Sequence, residues 1–148
     1  MSEVRFRLAR LGEDKRIVDF INSHFDMALP LVNRPELYRH YYMGRGGVPQ
    51  FGIAEQDGEY LSVAGYILAN TGAAPDAWVS VWVAAKGHNG VGLELMNALP
   101  GLLGANVLAC NNIRANTCAF YRFLGWQADR ISHYYRLAAP GANGYRLA

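Results

Sequence analysis

The stretch AWVSVWVAAKGHNGVGLELMNAL, residues 77–99, changes its period twice within one short segment. Trp78, Ser80 and Trp82 alternate with Val79, Val81 and Val83, the period of two that a β-strand imposes, and the tryptophan and valine content suits a central strand. Gly87, Gly90 and Gly92 then break the pattern, and Val91, Leu95 and Leu99 recur every four residues, as in a helix that Pro100 should interrupt. The local order is strand, glycine turn, helix. Glycine lets the backbone approach a bulky anion, and the free N–H groups and dipole at a helix start attract phosphate. A phosphate-bearing ligand is one reading of the turn; turn geometry alone is the other. A P-loop is excluded because Leu93, not Lys, follows Gly92, and no GxGxxG follows the first strand of a βαβ unit.

Working outward from this segment, Val4, Phe6 and Leu8 alternate with Arg5, Arg7 and Ala9, predicting a half-buried strand. Ile17, Val18, Phe20 and Ile21 predict a helix over 13–25, and Pro35 opens a short tyrosine-rich helix over 35–43. FGIAEQ, the Asp57–Gly58 turn and EYLSVAGYILAN predict a hairpin. Beyond the glycine turn, VLAC reads as a strand, ANTCAFYRFL as a helix stopped by Gly125, and WQADRISHYYRL as a long strand with a YRLA stub after it. The predicted order β-α-α-β-β-β-α-β-α-β-β fits an α/β sandwich with a mixed sheet.

Size and composition bound the function. The chain has 148 residues, 51% hydrophobic and 18% charged, enough for one core and too few for two domains of ordinary size. No apolar run approaches the roughly 20 residues of a membrane span, and MSEVRFRLAR has neither the apolar region nor the cleavage site of a secretory signal. A cytoplasmic protein is expected, with no membrane partner. The net charge of +2 comes from scattered Lys and Arg, so nothing calls for nucleic acid. Cys110 and Cys118 read as reduced thiols in that compartment. No CxxC or His-x3-His spacing offers a zinc ligand set.

The pair HNGVGLEL and, some 30 residues on, NTCAFYRFLGW resembles the acyl-CoA-binding motif and the following helix-plus-strand motif of the GNAT N-acetyltransferases. The likeness is detailed in the second half of the chain, and the element order extends it over nearly all of it. It implies a three-layer α/β sandwich with a mixed, centrally splayed sheet flanked by helices. It also implies acetyl-CoA as acyl donor, with the pantetheine arm along residues 80–84 and the pyrophosphate on residues 87–92. The implied cofactor contacts are Trp82, Val83, Ala84, Gly87, His88, Asn89, Gly90, Val91, Gly92 and, near the second motif, Asn116.

Two positions depart from the family pattern. Gly87 stands where Arg or Gln is usual, with Lys86 as the adjacent charge, and Arg114 stands where Asn is usual. Tyr121 matches the tyrosine that in many members protonates the departing CoA thiolate, which suits a phenol acting as a general acid; packing of its helix is the plainer role. A general base is less evident, since the central strand carries no acid. His24 ranks first, ahead of His133, and Asp26 with Tyr38, Tyr41 and Tyr42 forms the expected acceptor side, although helical spacing also lets these tyrosines pack the core.

The resemblance implies transfer to a primary amine of a small molecule. The SHYYRL ending is similar to that of domains from surface-polysaccharide gene sets, so an amino-sugar nucleotide is the expected acceptor. It admits a homodimer and a chain that continues into further domains. The rival expectation is a CoA-binding regulatory or interaction module that has lost catalysis.

Overall fold

The computed structural model describes residues 2–111 and 117–132. Its elements are β1 (Arg5–Leu8), α1 (Asp14–His24), α2 (Pro30–Asn33), α3 (Pro35–Tyr42), β2 (Phe51–Gln56), β3 (Glu59–Leu68), β4 (Asp76–Ala84), α4 (Asn89–Leu103), β5 (Val107–Cys110) and α5 (Thr117–Phe123). The strands form one sheet in the order β1-β2-β3-β4-β5. The first three pairings are antiparallel and β4–β5 is parallel, so the sheet is mixed as expected. Asp57 (φ 52°) and Gly58 (φ 82°) both take positive φ, the requirement of a tight hairpin turn.

Helices cover both faces and divide the core in two. On one face, α1 and α3 bring Ile17, Ile21, Tyr38 and Tyr42 against Phe51, Ile53, Val63, Val81 and Val83. On the other, Leu95, Met96 and Leu99 of α4 and Tyr121 of α5 pack on Ala54, Ala64, Tyr66 and Val79. Arg7 ties the first layer together: its guanidinium donates to both carboxylate oxygens of Glu13, which precedes α1, and of Glu55 on β2, at 2.7–2.9 Å.

The valines of β4 do not share a face, against the simple alternation of the sequence. Gly65 pairs with Val81 and Tyr66 with Val79, so Ser80 is an extra, unpaired residue, a β-bulge. The bulge turns the strand over: Val79 joins the α4 core, while Val81 and Val83 join the α1 core. Trp82 in consequence packs toward α4. Gly65 is obligatory opposite the bulge, because a Cβ there would lie 2.6 Å from Val81 Cγ1 and 2.7 Å from Phe51 Cε1.

Two expectations about element ends are corrected. Helix α4 runs through Pro100 to a left-handed cap at Gly104, because proline removes only one backbone bond and Leu95, Met96 and Leu99 hold the helix on the sheet. Residues 126–132 form no strand: Trp126 and Ala128 touch the core, but Ile131 is 75% exposed, so the polar-apolar alternation finds no ladder. The rest of that expected strand and the stub lie outside the described residues. Among the described residues no helix is long and apolar enough to cross a membrane.

Candidate active site

Strand β5 pairs with β4 only from Asp76↔Val107 to Val79↔Cys110. Beyond the bulge, residues 80–84 of β4 have no neighbour on that side among the described residues, and the sheet opens into a cleft of about 730 Å³. Its floor is β4 from Val79 to Ala84, one wall is Cys110, Asn111 and α5, and the α4 N-terminus and the chain following α1 complete the lining. This is the central splay anticipated from the motif.

At the α4 end, the first helical bond runs from Gly92 N–H to His88 O at 3.2 Å, and His88 N–H bonds Ala85 O. Among the described residues the amides of Asn89, Gly90 and Val91 are thus the unspent donors of the first turn, with no side-chain cap at His88. The two glycines differ in role. A Cβ on Gly90 would meet nothing within 4 Å, so its backbone faces open space in the cleft lining. A Cβ on Gly92 would lie 3.1 Å from both Ala84 Cβ and Trp82 Nε1, so this buried glycine brings α4 close to β4. The Nε1 atom of Trp82 is itself buried with no hydrogen-bond partner among the described residues.

Tyr121 is 4% exposed and reaches the cleft between Trp82 and Trp126, with ring centroids 6.1 and 5.2 Å away. Trp126 N–H closes the end of α5 on Tyr121 O at 3.0 Å, and Gly125 (φ 81°) takes the left-handed turn this requires, which fixes the tyrosine's backbone. Burial, and then the neighbouring Cys110 thiol, push its phenol well above the ordinary tyrosine range. It therefore holds its proton at neutral pH, as a donor must. Burial likewise raises the Cys110 thiol, partly offset by its hydrogen bond with Tyr121.

Of the residues singled out in the sequence, Trp82, Val83, Ala84, Asn89, Gly90, Tyr121, His24 and Asp26 line this one cleft. His24 and Asp26 are exposed, and His24 leans on the Phe20 ring at 4.6 Å. Gly87, His88, Val91 and Gly92 belong to the turn but not to the lining.

The tyrosine platform is not assembled. Tyr38 and Tyr42 are core residues around Phe51, because α3 turns that face onto the sheet, and Tyr41 packs against the same core. Asn116, Arg114 and His133 fall outside the described residues. Sequence reasoning missed Cys110, Asn111 and Phe120 in the wall. The parallel β4–β5 register places the C-terminal end of β5 beside the bulge, and no local pattern announces that.

No protein-family model matches the chain, and no curated protein matches it. Solved structures do. A protein of Clostridium difficile 630 described as a possible acetyltransferase superposes with a TM-score of 0.62 at 12% identity, covering 91% of this chain and 98% of that one. Aminoglycoside N-acetyltransferase AAC(6')-Iy, solved in complex with CoA, gives a TM-score of 0.62 at 14% identity over 93% and 97% of the two chains. The same enzyme, solved with the bisubstrate analogue CoA-S-monomethyl-acetylneamine, gives 0.62 at 15% identity over 93% and 100%. A transcriptional regulator of Bacillus halodurans C-125 gives 0.59 at 14% identity over 91% and 100%. With the mixed sheet, its opened β4–β5 edge and the glycine turn before α4, these likenesses establish that the chain has the GNAT-type acetyltransferase fold.

Proposed function

We propose that the protein is an acyl-CoA-dependent N-acyltransferase that moves an acetyl group from acetyl-CoA to a primary amine of a small molecule. The observation that carries this reading is one cleft holding three things: unspent helix amides at one end, an unpaired strand edge along the floor, and a buried, protonated phenol in the wall. The open space at Gly90 fits a pyrophosphate on the amides of Asn89, Gly90 and Val91, where the helix dipole adds to their attraction. The unpaired edge of β4 from Ser80 to Ala84 offers backbone groups to the amides of a pantetheine arm. When bound, acetyl-CoA supplies an acyl group activated as a thioester.

The chain's own part is positioning and proton movement. The amine nitrogen bonds to the acyl carbon, the carbon–sulfur bond breaks, and Tyr121 gives its proton to the departing thiolate. The proton lost by the amine passes to His24 or to water at the acceptor end, where Asp26 first attracts the ammonium. An amino-sugar nucleotide is the narrower acceptor. Asp26 is the one formally charged residue among the described lining, so that lining offers no cation to a nucleotide's phosphates.

The rival reading, a CoA-binding regulatory module, has the absence of a carboxylate on β4 beyond Asp76 on its side, but the likenesses, which are mostly to acetyltransferases, do not favour it. Calorimetry with acetyl-CoA beside a free-thiol assay over a panel of amines separates the two, since binding without turnover supports the module. Tyr121→Phe keeps the ring and its packing. It should lower kcat about 10- to 100-fold, the low end for a general acid because the thiolate is a fair leaving group, with the Michaelis constant nearly unchanged. Full turnover by this variant would return Tyr121 to a packing role.

A further inference from the structure

The bulge residue Ser80 is the one side chain of β4 that both faces the cleft and is held from behind by the opposite core layer. Tyr42, on α3, is 0% exposed, and its Oη lies 2.6 Å from Ser80 Oγ. A hydroxyl has one hydrogen to give and can accept two bonds, so the direction of this contact matters. If Ser80 donated to Tyr42, the tyrosine's own hydrogen would be left in an apolar core, where no other partner for Oη exists among the described residues. An unsatisfied buried donor costs about 1–3 kcal/mol. Tyr42 therefore donates to Ser80. Burial, opposed only by the Ser80 contact, raises the phenol and keeps that hydrogen in place.

The consequence falls on Ser80. Its oxygen is engaged by Tyr42, and its own O–H remains to be given elsewhere. The residue is exposed and lies in the cleft lining. Accepting one hydrogen bond polarises a hydroxyl and makes it a better donor. Ser80 also stands about 13 Å along the strand from Ala84, at some 3.3 Å per residue, away from the helix amides. We propose that Ser80 donates a hydrogen bond to the acyl oxygen of the bound thioester and to the oxyanion that forms there, with Tyr42 as the residue that positions it. The inference rests on the acyl-transfer reading. It adds a side-chain donor to the reaction centre and gives the buried Tyr42 a part in chemistry it does not touch.

Three variants test it: Ser80→Ala, Ser80→Thr and Tyr42→Phe, with the Ser80→Ala/Tyr42→Phe double variant. Removing one oxyanion donor typically costs about 10²-fold in kcat, and Ser80→Ala should approach that with acetyl-CoA affinity preserved. Ser80→Thr keeps the hydroxyl and should restore most of the rate. Tyr42→Phe should lose roughly 3- to 10-fold, because the donor remains but is no longer aimed. If Ser80 served only to satisfy Tyr42, the double variant would regain wild-type kcat, and that outcome overturns the proposal. The carbonyl stretch of acetyl-CoA labelled at the acyl carbon gives a readout independent of turnover. It should lie lower on the wild-type protein than on Ser80→Ala, and equal frequencies would also overturn the assignment. Failure of the wild type to bind acetyl-CoA overturns the acyl-CoA reading itself, and Ser80's role with it, by a separate signal.

Discussion

The two glycines at the start of α4 should respond in opposite ways to the addition of a single methyl group. In Gly92→Ala the new Cβ arrives 3.1 Å from Ala84 Cβ and from Trp82 Nε1, and 3.2 Å from Trp82 Cζ2. Carbon contacts are comfortable at about 3.5–4.0 Å, so α4 or Trp82 must retreat by roughly 0.5 Å. Neither yields easily: Ala84 Cβ is fixed to the strand backbone, and the Trp82 ring is packed beside Tyr121. Overpacking of this kind costs about 1–3 kcal/mol, while alanine recovers about 1 kcal/mol of helix propensity. The net expectation is a destabilisation of about 1 kcal/mol, or roughly 2–4 °C in Tm for a chain of this size. Gly90→Ala meets nothing and should hold or raise Tm slightly, gaining up to about 1 kcal/mol from the unfolded state. Circular-dichroism melts of both variants decide the matter, with acetyl-CoA titrations beside them. Gly90→Val, whose side chain enters the cleft at the amides, should weaken acetyl-CoA binding without loss of fold. A Gly92→Ala variant more stable than wild type would refute the close-approach argument, and unaltered binding by Gly90→Val would remove the cradle from this turn.

Other outcomes follow from the same geometry. Gly65→Ala should destabilise by about 2 kcal/mol or more in urea unfolding, because its Cβ would strike Val81 and Phe51 at 2.6–2.7 Å and the bulge leaves no room to retreat; wild-type stability would place the bulge elsewhere. The Arg7 hydrogen bonds lower the Glu13 carboxyl from 4.5 to about 2 and lower Glu55 as well. Their contribution is therefore complete above about pH 4.5 and is lost as the pH falls toward 2. Glu13→Gln should remove about 1 kcal/mol at neutral pH, discounted for the partial exposure of the pair, and flatten the acid limb of a stability-against-pH curve. An unchanged acid limb would mean that the ion pair contributes nothing.

Much of the site was legible because its signals are local. The period change at Gly87 to Gly92 announced a helix N-terminus after a strand, and the Asp-Gly turn fixed the hairpin that places β3 beside β2. Tyr121 was found through its motif, and the structure adds the reason it can hold a proton, namely burial beside Cys110. The tyrosines of α3 stayed open between platform and packing for lack of the same information: spacing shows that they share a face, and only packing shows that the face meets Phe51.

What the sequence by itself determined is the set of elements, the hairpin and the position of the glycine turn, because propensity, turn chemistry and periodicity act over a few residues. Tertiary structure decided which face each β4 residue takes, since the bulge at Ser80 arises where Gly65 makes room for Val81 and Phe51. It decided that α4 continues past Pro100, since burial of Leu95, Met96 and Leu99 outweighs one lost hydrogen bond. It also decided that Gly90 faces open space in the cleft while Gly92 faces a tryptophan, and that Tyr42 meets Ser80 across 38 positions of chain. Contacts between residues so far apart depend on how whole layers settle against one another, and no window of sequence contains that.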